Sequence, residues 1–256
     1  VMYTLRTRFS KDIVCEFLPP SRVLKKQRVI IFADGMPSVP SKKSLLEFFS
    51  KKGFWVFHPR YRGTWESDGK FLAKSPHIDI LDVIDGIHKP FESIYRKVSG
   101  ERHHYKLNPT QIILVGSSFG GPAVILNSND ERISKVVAFS PVTNWQGVLR
   151  ISNPGDRLEF IQEAFGKAIR TTPKLWSKLK TQKFYNPIVE LDHIDGSKIQ
   201  IIQAKDDPAV PFTDTKKFAT ATKSKLVSVA KGGHLGASIL MMPRFYKIFT
   251  KHINSK

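Results

Sequence analysis

A short apolar run, Gln111-Ile112-Ile113-Leu114-Val115, ends in Gly116-Ser117-Ser118-Phe119-Gly120-Gly121 and passes straight into Pro122-Ala123-Val124-Ile125-Leu126. The pattern predicts a buried strand, a sharp corner and a helix that begins at the corner. Glycines flank the serine because the corner holds it in a strained backbone conformation and brings neighbouring chain segments close. This geometry lifts the hydroxyl of Ser118 above the end of a sheet. It also sets it at the start of a helix, where developing negative charge is favoured. Gly-x-Ser-x-Gly alone is a weak signal, and the strand before it and helix after it give it weight.

The rest of the chain fits a sheet built around that strand. Partial alternation over 3–9 and 13–18, about Ser10-Lys11-Asp12, predicts an opening hairpin. Apolar strands are expected over 28–33 and 54–57, with a helix between them capped by Ser41 and burying Leu45, Leu46, Phe48 and Phe49. Apolar residues at helical spacing predict a helix over 78–98, in which Asp79, Asp82 and Asp85 share a solvated face rather than a metal site. His103 and His104 have no metal-ligand spacing to another His or Cys and read as exposed loop. Further strands are expected over 135–141, 198–204 and 225–230, and helices over 213–222 and 235–253. Between 142 and 197 the strand pattern stops. Helical stretches at 149–151, 157–169 and 173–179 are separated by Asn153-Pro154-Gly155 and Thr171-Thr172-Pro173. That interval is too long for a loop, so it is expected to form a helical cap over the sheet edge. Alternating strands and helices predict an α/β fold, a mostly parallel central sheet with helices on both faces. The chain of 256 residues is read as one domain, 1–256, with 142–197 as the cap insertion.

Composition excludes some partners. The net charge is +19, yet the basic residues come as scattered pairs such as Lys25-Lys26, Lys42-Lys43 and Lys216-Lys217. Aromatic residues sit in apolar runs rather than among them, so the charge reads as solvated surface and no nucleic acid partner is expected. One cysteine, Cys15, allows no internal disulfide, and no apolar run approaches the ~18 residues of a membrane span. A cytoplasmic protein without a membrane span is the expectation.

A serine hydroxyl needs a general base, and the base needs a group to orient it. His234 is the candidate base, because glycines on both sides in Gly232-Gly233-His234-Leu235-Gly236 let a loop carry the ring toward a neighbour. For the acid, the strand 199–204 runs into Lys205-Asp206-Asp207-Pro208, and either aspartate lies just past a parallel strand's C-terminal end. Ser118, Asp207, His234 then appear in the order nucleophile, acid, base, each after a strand.

These residues resemble the α/β-hydrolase superfamily of serine hydrolases, nearest the prolyl-oligopeptidase-like and single-domain esterase branches, and the likeness covers nearly the whole chain. The motifs that carry it are Gly116 to Gly121, Asp207-Pro208-Ala209-Val210-Pro211 and Gly232-Gly233-His234. The resemblance favours Asp207 over Asp206 as the acid. It likens Arg60-Tyr61-Arg62-Gly63 with Glu66-Ser67-Asp68-Gly69 to a loop bordering the active site, with Trp65 in place of a second glycine. Where such families carry His-Gly after the third strand, this chain has Asp34-Gly35-Met36. By position the N–H groups of Met36 and Phe119 form the oxyanion hole. Asp34 brings a negative charge close to it, to be neutralised by Arg60, Arg62 or Lys43.

The implied activity is cleavage of carboxylic esters through an acyl-enzyme on Ser118, with no metal or organic cofactor. The substrate is expected to be a small-molecule ester or, in the alternative, a short peptide. The substrate-binding candidates are Asp34, Gly35, Arg60, Trp65, Trp145 and Trp176, the last two as part of an aromatic set in the cap. Peptidases of the oligopeptidase type carry a large extra domain that this chain is too short to hold, which favours the esterase. A non-catalytic binding protein with a basic surface is the alternative from another class.

Overall fold

In a computed structural model of the chain, residues 4–22, 25–96, 100–151, 154–181 and 183–255 are described. Tyr3, Val98 and Asn153, which entered the sequence reading, lie outside them. The described residues form one eight-stranded sheet. It contains β1 (Leu5–Phe9), β2 (Ile13–Leu18), β3 (Arg28–Ala33) and β4 (Phe54–Pro59). A separate two-stranded hairpin, β5 (Phe91–Arg96) and β6 (Arg102–Tyr105), follows, and then β7 (Gln111–Ser117), β8 (Ile133–Phe139), β9 (Ile199–Ala204) and β10 (Lys225–Val229) complete the large sheet.

The strand order is β1-β2-β4-β3-β7-β8-β9-β10. β2 runs antiparallel to β1 and β4, and the strands from β4 to β10 are parallel. From β3 the chain crosses to β4 on one side, and from β7 it crosses to β8 on the other. The direction of winding therefore reverses between β3 and β7, and a crevice opens at their C-terminal ends. Buried on both faces, these strands read as continuous apolar runs, as in Val29-Ile30-Ile31-Phe32.

One face is covered by α1 (Lys43–Lys51) and α8 (Pro243–Ile253), whose Leu45, Leu46, Phe49, Phe245 and Phe249 pack on Ile30, Phe32 and Ile113. The other is covered by α2 (Pro76–Ile87), α3 (Gly120–Ile125) and α7 (Phe212–Thr222), through Ile80, Val83, Ala123, Val124 and Phe218. Each fully buried Leu or Phe of this kind contributes roughly 1.5–3 kcal/mol. Segment 142–197 supplies α4 (Trp145–Ile151), α5 (Pro154–Phe165), α6 (Pro173–Trp176) and several 3₁₀ turns. Among the described residues no helix is long and apolar enough to cross a membrane.

Several local expectations need correction. The helix expected over 78–98 stops at Ile87. Pro90 lacks the N–H to continue it and disfavours helical backbone at Lys89, so the chain turns into β5 and β6 instead. His103 and His104 therefore lie on a strand, with His104 facing Glu92 at 3.2 Å. Asp79 is not solvated. It is buried and held by the backbone N–H and guanidinium of Arg62, which also reaches Asp12 and Asp82, while Asp85 pairs with Arg132. Spacing put the three aspartates near one another on the helix, and the Arg62 cation in the loop before it was not visible in that spacing. Ser41 caps nothing, because α1 begins at Lys43 with Lys42 in the cap position. The last helix is split, a 3₁₀ turn over Ala237–Met241 preceding α8, whose first residue is Pro243.

Candidate active site

Ser118 sits at the corner between β7 and α3 with φ 53°. A non-glycine residue in that region is strained by about 1–3 kcal/mol, and the strain persists because the surroundings leave no alternative. The backbone N–H of Ser118 donates to the Phe139 carbonyl, and its own carbonyl accepts from Gly121 and Val142. A side chain at Gly120 would come within 2.2 Å of the Ala33 carbonyl oxygen, and one at Gly116 within 2.4 Å of the Gly120 carbonyl oxygen. The glycines are there to let β3, β7 and α3 converge beneath the serine.

His234 lies on the loop after β10. Its Nδ1 is 2.9 and 3.0 Å from the two carboxylate oxygens of Asp207, whose side chain is fully buried. Asp207 also accepts from the N–H groups of Ala209 and Val210 and from the Gln203 amide. Burial pushes the Asp207 carboxyl up, and hydrogen bonds from His234, Ser140 and Ala209 outweigh it and hold the group below its ordinary value. The adjacent Asp206 has a different task. One of its oxygens accepts from Gly232 at 3.0 Å and Gly233 at 2.9 Å, holding the loop that carries His234. The hydroxyls of Ser117 and Ser140 accept from Ala237 and Leu235 and pin the same loop to the ends of the central strands.

Ser118 and His234 open into one cavity of about 440 Å³. Asp34, Gly35, Met36 and Phe119 line it from the sheet side, and Trp145, Val148 and Trp176 line it from segment 142–197. Loop 34–38 runs against the corner, since a side chain at Gly35 would lie 3.3 Å from Ser118 Cβ. Phe119 is buried among Tyr61, Phe71, Trp145 and Tyr185.

Asp34 is neutralised, by residues other than those expected. Lys42 lies 3.0 Å from one oxygen and His58 Nε2 2.9 Å from the other. Burial pushes this carboxyl up, and the hydrogen bonds of His58 and Lys42 outweigh it and hold the group at about 2. Arg60 donates to His58 Nδ1 at 2.8 Å, so that nitrogen must accept and Nε2 carries the proton given to Asp34. Arg60 itself is buried against Glu16 and Glu66, away from the cavity lining, and Arg62 serves Asp79. Trp65 packs edge-on against Phe165 and is likewise outside the lining. Of the substrate-binding candidates, Arg60 and Trp65 are therefore not brought to this cavity. Arg60 pairs with Glu16 on β2 and Glu66 in its own loop, and Trp65 packs on Phe165 of α5. The residues that sequence reasoning missed are Glu16, Lys42 and His58, while Tyr185 belongs to the aromatic set read in the cap. His58 stands two residues before the loop singled out at Arg60, and Glu16 and Lys42 left no local signal.

No protein-family model matches the chain, and no curated protein matches it in sequence. Solved structures do share its architecture. Esterase Pf2001 of Pyrococcus furiosus is 15% identical with a TM-score of 0.67, over 98% of this chain and 89% of that one. Est1E of Butyrivibrio proteoclasticus, with ferulic acid bound, is 18% identical with a TM-score of 0.66, over 98% and 99%. Acylaminoacyl peptidase of Pyrococcus horikoshii is 18% identical with a TM-score of 0.63, over 100% of this chain but 42% of that one. This chain thus spans less than half of the peptidase and nearly all of the two esterases. At such identities the likeness is one of fold, and the chain has the α/β-hydrolase fold.

Proposed function

We propose that the chain is a serine hydrolase that cleaves carboxylic esters through an acyl-enzyme on Ser118. The reading is carried by one observation: His234 is held through Nδ1 by the buried Asp207 and opens into the same cavity as the strained Ser118. With Nδ1 committed to Asp207, Nε2 is the nitrogen left to take the proton from Ser118 as its oxygen attacks the ester carbonyl. Asp207 fixes the ring tautomer and stabilises the imidazolium. The N–H groups of Phe119 and Met36 receive the tetrahedral oxyanion, each worth about 10²–10³ in rate. Collapse of the intermediate releases the alcohol, which takes the proton from His234. Water, activated by the same histidine, then releases the acid. With its charge committed to Lys42 and His58, Asp34 does not oppose the oxyanion.

Segment 142–197 acts in this reading as a cap whose Trp145 and Trp176 shape an apolar acyl or alcohol site. Ester cleavage is the reading put first, and peptide cleavage the second, the similar structures being two esterases and an acylaminoacyl peptidase. The test is labelling with a fluorophosphonate probe together with hydrolysis of short p-nitrophenyl esters, comparing wild type with Ser118→Ala. Labelling and turnover that vanish together in the variant support the reading. A folded wild type that neither labels nor turns over any ester refutes it, and aminoacyl p-nitroanilides separate esterase from peptidase.

A further inference from the structure

Beyond β3 the chain leaves the sheet at Ala33, the last residue of that strand paired with β7, and enters loop 34–38. Among the described residues, every hydrogen bond and ion pair made by residues 34–38 ends on Asp34. The carboxylate receives His58 and Lys42, Ser38 reaches back to it at 3.4 Å, and the Asp34 carbonyl accepts from the Tyr61 hydroxyl at 3.0 Å. His58 is fully buried on β4, so it cannot follow the loop if the loop shifts. From behind it is held by Arg60 at 2.8 Å, which pairs with Glu16 of β2 at 2.9 Å and donates to the Pro40 carbonyl at 3.2 Å. A buried series, Glu16–Arg60–His58–Asp34, thus runs from the second strand to the cavity that Ser118 lines, and each charge in it faces an opposite one.

We propose that His58 is a positioning residue, which fixes Asp34 and through it the segment that carries Met36 against Ser118. The role rests on the serine-hydrolase reading, in which the Met36 N–H receives the oxyanion. Met36 lies two residues beyond Asp34, and Gly35 between them leaves the approach to the serine clear, since a Cβ there would stand 3.3 Å from Ser118 Cβ. A backbone donor lowers the barrier only if it is in place before the charge develops. The bond from the His58 N–H to an ionised carboxylate supplies that preorganisation from a rigid strand. Lys42 neutralises the same carboxylate, but from a flexible stem that sets no register.

The test uses the full chain with p-nitrophenyl butyrate as substrate and phenylboronic acid as an inhibitor that forms a tetrahedral adduct on Ser118. His58→Asn keeps an acceptor where Nδ1 stands but no donor where Nε2 stands, and His58→Gln does the reverse. His58→Asn is expected to lower kcat by about 10- to 100-fold, part of what one oxyanion donor supplies, with KM nearly unchanged. Affinity for the boronic acid should fall in step, and His58→Gln should recover most of both. Asp34→Ala should lower kcat to the same degree, and the His58→Asn, Asp34→Ala double variant no further, because both remove one contact. The role is overturned if folded His58→Asn keeps its kcat, if its loss lies in KM, if His58→Gln is equally impaired, or if the two losses multiply. Should neither His58 variant fold, Asp34→Ala decides: a lowered kcat with KM nearly unchanged supports the role, and an unchanged or raised kcat overturns it. Each of these outcomes leaves wild-type turnover standing. A folded wild type that cuts no ester and takes no fluorophosphonate overturns the hydrolase reading and this role with it.

Discussion

The hydroxyl of Tyr185 donates to the carbonyl of Phe119 across 2.6 Å, with both side chains buried. A residue of segment 142–197 is thereby tied to the residue that follows Ser118. Tyr185→Phe keeps the ring and removes the bond, so the expected loss is about 1 kcal/mol in a urea unfolding curve. Turnover of a short ester should fall as well, because Phe119 contributes an oxyanion N–H in the proposed mechanism.

The adjacent aspartates should separate cleanly. Asp207→Asn keeps the shape but removes the carboxylate from His234, and ester turnover is expected to drop by about 10⁴-fold with the fold intact. Asp206→Ala removes two hydrogen bonds to the His234 loop without touching the ring. A loss on the order of tenfold is expected there, accompanied by faster hydrogen exchange at Gly232 and Gly233. Equal losses in the two variants would contradict this division of roles.

Gly120→Ala should be far more damaging than an added methyl group suggests. Its Cβ would press on the carbonyl oxygens of Ala33 at 2.2 Å and Asp34 at 2.5 Å, both backbone atoms that cannot step aside alone. Overpacking of this kind costs roughly 1–3 kcal/mol or more. The variant should show a lower Tm and no labelling by a fluorophosphonate.

Acid sensitivity has two opposing sources. For Asp34, burial acts upward but the hydrogen bonds of His58 and Lys42 prevail and hold the folded-state pKa at about 2, below the unfolded value. Its stabilisation is present above about pH 4 and is lost as pH falls toward 2, a change of ~2 kcal/mol. Glu16 has the same sign, since burial acts upward but the Arg60 guanidinium 2.9 Å away holds it below its ordinary value. Asp79 has the opposite sign, because burial raises it to about 6 despite Arg62. Its contribution is present at low pH and is lost as pH rises from about 4 through 6. Unfolding free energy measured across pH 2–7 should therefore peak between these windows, and Asp34→Asn should flatten the acid limb.

Much of the frame was legible because it rests on local chemistry. The apolar runs at 28–33, 54–57 and 111–115 carry enough hydrophobic surface to be strands in any buried setting. The glycines around Ser118 mark a corner whatever packs beneath it. Chain order also brought His234 and Asp207 into view, although only the resemblance carried by Asp207-Pro208-Ala209-Val210-Pro211 told the two adjacent aspartates apart. Contacts between segments distant in sequence were illegible. That Lys42 rather than Lys43 reaches Asp34 depends on where α1 begins, and Ser41 pointed to the wrong place. That Asp79 is buried depends on Arg62 folding back onto α2. His58 and Glu16 meet because β2 runs antiparallel beside β4, a pairing that no local pattern announces.

The loop bearing His234 is fastened to the sheet by Ser117, Ser140 and Asp206. Opposite it, the short helices of segment 142–197 are tied by Tyr185 to Phe119, by Arg170 and Thr171 to Gly63, Trp65 and Phe71, and by Lys178 to Leu72 and Ala73. Both banks are thus fastened, one to the ends of the central strands and the other to the loop that follows β4. In the proposed hydrolase, side chains that face the cavity from the second bank can be exchanged residue by residue, while the bonds that hold Asp207 and the His234 loop belong to the first.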